Sequence, residues 1–174
     1  MSDMLRWMKD NEARLRQTET KEVPGASGFS QFFTTGSFVP TLVGSGTAGT
    51  FTYTANATIV EYSRIGNRVF FNGRIVITAI GVAPVGNMTV RGWPITPVSD
   101  ANMAIAGGGT MIGYLGLTVA AGYTQIELQA ANGSANFAIN KNGSGVALAS
   151  VTGAECVGVA GAIELRFFGE YRCG

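Results

Sequence analysis

The sequence contains no histidine and only two cysteines in 174 residues. The first absence removes the commonest general base and the commonest metal ligand together. Two cysteines alone cannot supply the four ligands of a structural zinc site. Charge is scarce as well: 12 bases and 11 acids leave a net charge of +1. That balance offers no basic stripe for nucleic-acid phosphates or for an anionic lipid surface, so neither partner is expected. Gly, Thr, Ser and Asn interrupt every apolar run before it reaches the ~20 residues of a membrane span. No basic start followed by ~7–15 apolar residues marks a secretory signal after Met1. No cofactor or metal is expected, and the chain reads as a structural or binding protein.

The few charges are unevenly placed. Residues 1–22 hold five of the twelve bases and five of the eleven acids. The remainder is about 9% charged, against ~25% in an ordinary soluble protein. All 25 glycines fall at or after Gly25, and Val23-Pro24-Gly25 marks the boundary with a turn signal. Residues 1–22 read as a helix. Ser2 is an N-cap, Gly and Pro are absent, and strong helix formers dominate. Met1, Leu5, Met8, Glu12, Leu15 and Glu19 alternate spacings of four and three, an a/d seam weakened by two glutamates. At about 20 residues such a helix is marginal alone. It calls for copies of itself or a socket on another protein. Met4, Leu5, Trp7, Met8 and Leu15 are its candidate anchoring and oligomer residues, with Trp7 off the seam.

After Gly25 the hydrophobic period is two and Val, Ile, Thr, Phe and Tyr prevail, which predicts an all-β body. Residues 23–36 read as a linker and 37–174 as the folded domain. Expected strands are Ser37–Val43, Thr50–Thr54, Thr58–Ile65, Arg68–Ile80, Asn87–Trp93, Met111–Val119, Tyr123–Ala131, Asn136–Asn140, Val146–Ser150 and Ala162–Arg172. Gly66-Asn67 predicts a hairpin between two of them. Gly73 predicts a bulge or a close backbone approach. Gly107-Gly108-Gly109 reads as a loop tip, since no Lys or helix follows to make it a phosphate loop. Eight to ten short strands at this spacing predict a sandwich or barrel. The outward positions are Thr, Ser, Asn, Gly and Ala in place of charges, and Val157–Ala162 is small and apolar. Such surface is normally buried against another subunit, so a homo-oligomer is expected.

Several segments carry a resemblance. "SFVPTLVGSGTAGTFTYT" (Ser37–Thr54) is similar to a "W-x-P-T-L-x-G … Y" start, with Phe38 where Trp is common. "VEYSRIGNRVFFNGRIVITAI" (Val60–Ile80) resembles a "Y-x-x-I-G-N-x-V" hairpin. "GNMTVRGWPITP" (Gly86–Pro97) and "IELRFFGEYRC" (Ile163–Cys173) resemble the following and closing strands. Together they resemble the β-jelly-roll knob of phage fibre and other virion proteins, akin to trimeric C1q/TNF-like heads. The resemblance implies a jelly-roll-like antiparallel β-sandwich preceded by a short N-terminal α-helix. It also implies a homotrimer in the virion, made in the host cytoplasm, whose helix docks on another virion protein. The knob would then be displayed for attachment to a host surface glycan or protein. The short helix departs from fibres with long shafts and leaves open a capsid decoration or head fibre that stabilises the shell.

Catalysis has little to draw on. Glu61, Asp100, Glu127, Glu155, Glu164 and Glu170 are the carboxylates of the body, and no pair is marked out by spacing. Cys156 and Cys173 lack a His to activate them, and read either as free buried thiols or as a bridge. No catalytic residue is assigned. Receptor-facing candidates by composition are Trp93, Tyr114, Tyr123, Asn132 and Asn142, with Asn136 and Asn140 beside them. Trp93 has core packing as its alternative, and the asparagines have turn chemistry.

Overall fold

The computed structural model describes residues 33–102, 104–156 and 162–174. The helix expected at 1–22, with Met4, Leu5, Trp7, Met8 and Leu15, lies outside the described residues, as does most of the expected linker. So does most of the apolar Val157–Ala162 stretch.

The described residues form eleven strands. They are β1 (Phe33–Phe38), β2 (Thr41–Gly44), β3 (Thr50–Tyr53), β4 (Ile59–Ile65), β5 (Arg68–Val82) and β6 (Met88–Arg91). After them come β7 (Ile105–Leu115), β8 (Gln125–Ala131), β9 (Phe137–Gly143), β10 (Val146–Ser150) and β11 (Ile163–Arg172). All pairings are antiparallel. Where two facing sheets were expected, hydrogen bonding runs as one path, β1-β4-β5-β11-β7-β8-β9-β6-β2, with β3 beside β5 and β10 beside β9. The two ends of that path, β1 and β2, are joined by only Val39 and Pro40. The sheet must therefore curl until its ends nearly meet. Pro40 has no N–H to continue a ladder, which divides the expected Ser37–Val43 strand in two. β1 starts at Phe33, four residues inside the expected linker, and pairs with β4 from Phe33↔Ile65 to Phe38↔Val60.

Alternation sorts the side chains between the inside and outside of the curl. On β5, Val69, Phe71, Ile75 and Ile77 face in. On β11, Ile163, Leu165, Phe167 and Tyr171 do the same. The centre is aromatic: Phe71, Trp93, Phe137 and Tyr171 have ring centroids 3.9–6.1 Å apart. Tyr171 donates its hydroxyl to the Ile95 carbonyl at 2.7 Å, and the Trp93 indole donates to Val90 at 3.2 Å. Both polar tips of this core are thereby satisfied.

The Gly66-Asn67 hairpin forms as expected, with Ile65 opposite Arg68 and Gly66 at φ +61°. Gly73 is the close approach and not the bulge. Its register with β4 and β11 is unbroken, and a Cβ there would fall 2.6 Å from the Val60 side chain. Gly107-Gly108-Gly109 is not a loop tip. It lies inside β7, between β8 and β11. The reason is space: a Cβ on Gly109 would sit 2.8 Å from the Phe71 ring, and one on Gly107 would sit 2.5 Å from the Glu170 carbonyl oxygen. Asn142, for which turn chemistry was the alternative, lies on β9, and the turn follows Gly143.

Candidate functional site

The outside of the curl is the most distinctive surface. Strand registers align one row across eight strands: Ser37, Glu61, Asn72, Phe168, Thr110, Glu127, Asn140 and Ser150. The next row on the same face runs Thr35, Ser63, Phe70, Glu170, Gly108 and Gln129. Their chain neighbours on these strands point inward into the core, so these residues point out.

The face changes character along the row. Over β1, β4, β5, β11 and β7 it mixes exposed apolar side chains with charged and polar ones. Phe33 is 54% exposed, Ile65 56%, Ile112 61% and Phe168 50%, with Ile59 and Phe70 also exposed. Phe70 and Phe168 flank a shallow depression floored by Gly108, Gly109 and Gly169. Over β8, β9 and β10 the same face is an amide–carboxylate ladder. Asn142 Nδ2 donates to Glu127 at 3.2 Å, Asn140 Nδ2 to Gln129 at 3.0 Å, and the Ser150 hydroxyl to Asn140 Oδ1 at 3.2 Å.

Most of the charge on the half over β1, β4, β5, β11 and β7 is held in ion pairs. Arg68 binds Glu170 at 2.5 Å. Arg74 and Arg166 both hold Glu164, at 3.1 and 2.5 Å. Their hydrogen bonds keep the Glu164 carboxyl below its ordinary range. Glu61 forms no ion pair among the described residues, and it lines one depression together with Ile59, Ile112, Arg74 and Arg166.

A second cluster closes one end of the curl. Lys141 sits on the inward side of β9, and its ammonium meets the Glu155 carboxylate. The same ammonium lies 4.8 Å from the centre of the Tyr123 ring. Glu155 also accepts the Thr152 N–H at 2.9 Å, capping a short 3-10 turn, Gly153–Glu155. Burial works to raise the Glu155 carboxyl, but Lys141 and Thr152 outweigh it and hold the group below its ordinary value. Beside it, Cys156 is buried, and desolvation reinforced by the Glu155 charge pushes its thiol up to about 12. Both Cys156 and Cys173 are free, buried thiols.

The composition-based receptor candidates scatter. Trp93 is 5% exposed and stacked on Phe137, so its ring belongs to the core and cannot meet a surface partner. Tyr114, 41% exposed, lies near the end of β7. Tyr123 is half-buried beneath Lys141. Asn132 is held by Asp100, accepting its N–H at 2.8 Å and donating to its carbonyl at 2.6 Å. Asn142 and Asn140 belong to the ladder, and Asn140 is buried. Asn136 is exposed in the approach to β9. These residues do not converge on one spot. The exposed phenylalanines and isoleucines were absent from the composition-based candidates. The signal for them was present in the alternation itself, which sets Ile59, Glu61, Ser63 and Ile65 on one face of β4.

Among the described residues no three Cys, Asp or Glu side chains converge as a metal site requires, and no helix is long and apolar enough to cross a membrane. No protein family and no curated protein matches the sequence. Among solved structures, the Dettilon tailspike protein is similar, with a TM-score of 0.61 at 18% sequence identity. The similarity covers 82% of this chain and 24% of that one, so the chain spans about a quarter of the tailspike's length. At that identity the likeness is one of fold: a curled, antiparallel, all-β body.

Proposed function

We propose that this chain is a non-enzymatic structural protein of a phage virion, a short oligomeric spike whose β body is displayed for host attachment. The observation that carries the reading is the set of exposed large apolar side chains on the outer face of β1, β4, β5, β11 and β7 (Phe33, Ile59, Ile65, Phe70, Ile112 and Phe168), on a fold like that of a tailspike segment. Large apolar side chains exposed together on one face, with charges set between them, suit a subunit contact. The curled sheet is read as a jelly-roll-like knob, three copies of which surround an axis. Residues 1–22 are read as the helix that docks on another virion protein. The non-catalytic reading fits the carboxylates Glu155, Glu164 and Glu170, each tied to a base, and Glu127, tied to an amide, while Glu61 stands without an ion pair among the described residues.

Imaging intact particles labelled with gold-conjugated antibody against the protein tests the proposal. Gold at the tail is the expected result. Gold over the head would overturn host attachment in favour of shell decoration, and unlabelled particles would overturn the virion assignment altogether.

A further inference from the structure

We infer that the outer face of β4, β5 and β11 receives a second copy of this chain, and that Glu61 of one copy pairs with Arg74 and Arg166 of the next. This deepens the oligomeric reading above and rests on it. The occupant follows from the chemistry of the face. Two guanidinium groups, Arg74 and Arg166, share one carboxylate, Glu164, which leaves a positive surplus. Glu61, exposed and without an ion pair among the described residues, supplies the matching negative charge. Both lie around the same depression, between the apolar side chains of Ile59 and Ile112. Glu61 is on the adjacent strand and two residues out of register with Arg74, whose Nε is turned to Glu164. The surplus and the deficit therefore lie on one face, and no ion pair joins them among the described residues. A surface carrying both complements a rotated copy of itself and needs no partner of different charge. Phe168, half exposed at the centre of the face, supplies the apolar anchor.

The test uses the full chain. Native mass and sedimentation would be measured for the wild type, for Phe168→Glu, and for Leu148→Glu, which alters an equally exposed residue on β10. The wild type and Leu148→Glu are expected to share one multiple-chain mass, while Phe168→Glu sediments as a single chain with an unchanged cooperative urea unfolding transition. Glu61→Arg is expected to raise the midpoint concentration of dissociation about tenfold, and Glu61→Arg with Arg166→Glu to return it near the wild-type value. A multiple-chain mass that Phe168→Glu and Glu61→Arg both leave intact would overturn this face while sparing the oligomer. A single-chain wild type would overturn the oligomer itself.

Discussion

Trp93 stacks on Phe137 with ring centroids 3.9 Å apart and planes 13° from parallel. Trp93 follows β6 and Phe137 opens β9, which are neighbours through Val90↔Phe137. The stack thus joins a loop to the sheet at the aromatic centre. Trp93→Ala should cost about 3–5 kcal/mol by urea unfolding, the usual range for emptying a large aromatic site. Trp93→Phe should cost clearly less, because a ring still covers Phe137. Equal losses in the two variants would mean that the stack contributes nothing of its own.

Lys141 and Glu155 are a mostly buried pair, with side chains 9% and 14% exposed. Lys141→Met should destabilise by about 3–5 kcal/mol, since it strands a desolvated carboxylate. Adding Glu155→Gln should recover part of that loss. Non-recovery in the double variant would indicate that packing of the lysine stem, and not the charge, is what matters.

The same pair sets an acid limb. The folded Glu155 carboxyl lies below its ordinary value of 4.5, so its stabilisation is complete above that value. It is lost as pH falls through the lowered folded value, where the unfolded state binds more protons. Urea midpoints from pH 7 to pH 3 should therefore fall more steeply in the wild type than in Glu155→Gln. Parallel curves would refute the assignment.

Cys156 is 1% exposed and Cys173 3%, and both are free. Ellman's reagent should find no reactive thiol in the native protein and two in urea. The Cys156 thiol is raised from 9.0 to about 12, so its contribution to stability holds up to pH 9 and is lost as pH climbs through 12. Fast native labelling would contradict the burial of both groups.

Gly169 lies inside β11 where a Cβ would fall 2.8 Å from the Phe71 ring, and closer still to the Gly108 carbonyl oxygen. Gly169→Ala should lose the folded state or most of its stability, because backbone cannot yield as a flexible side chain can. Gly113→Ala, where the nearest atom is Arg166 Cδ at 4.0 Å, should change stability by no more than ~0.5 kcal/mol. Thermal unfolding of the two variants decides the matter.

Much of the sheet was legible because period two is a local property. Val60, Tyr62 and Arg64 fall on one side of β4 and Ile59, Glu61, Ser63 and Ile65 on the other; Val60 is buried while Ile59, Glu61 and Ile65 are exposed. The errors lie where the cause is non-local. Gly107, Gly108 and Gly109 resemble loop residues because nothing nearby in the chain explains three missing side chains. The explanation is Phe71 and β11, brought there by folding. Lys141 stands in a run that reads as polar turn chemistry, and its inward place depends on Glu155, fourteen residues on. For the candidate site, composition favoured rare aromatics and amides. Trp93 was thereby drawn to the surface, while the outward-facing Phe70 and Phe168 were passed over.

The position of β11 has a consequence for biogenesis. It follows every other described strand in the chain, yet it occupies the middle of the sheet, between β5 and β7. Until it emerges from the ribosome, β5 and β7 each present an unpaired edge, and the aromatic centre lacks Phe167 and Tyr171. From the synthesis of β7 until that of β11 the nascent chain therefore carries two open edges, a state prone to pairing with other chains. Insertion of β11 closes both edges at once, so newly made chains depend on reaching that strand quickly or on being shielded until they do.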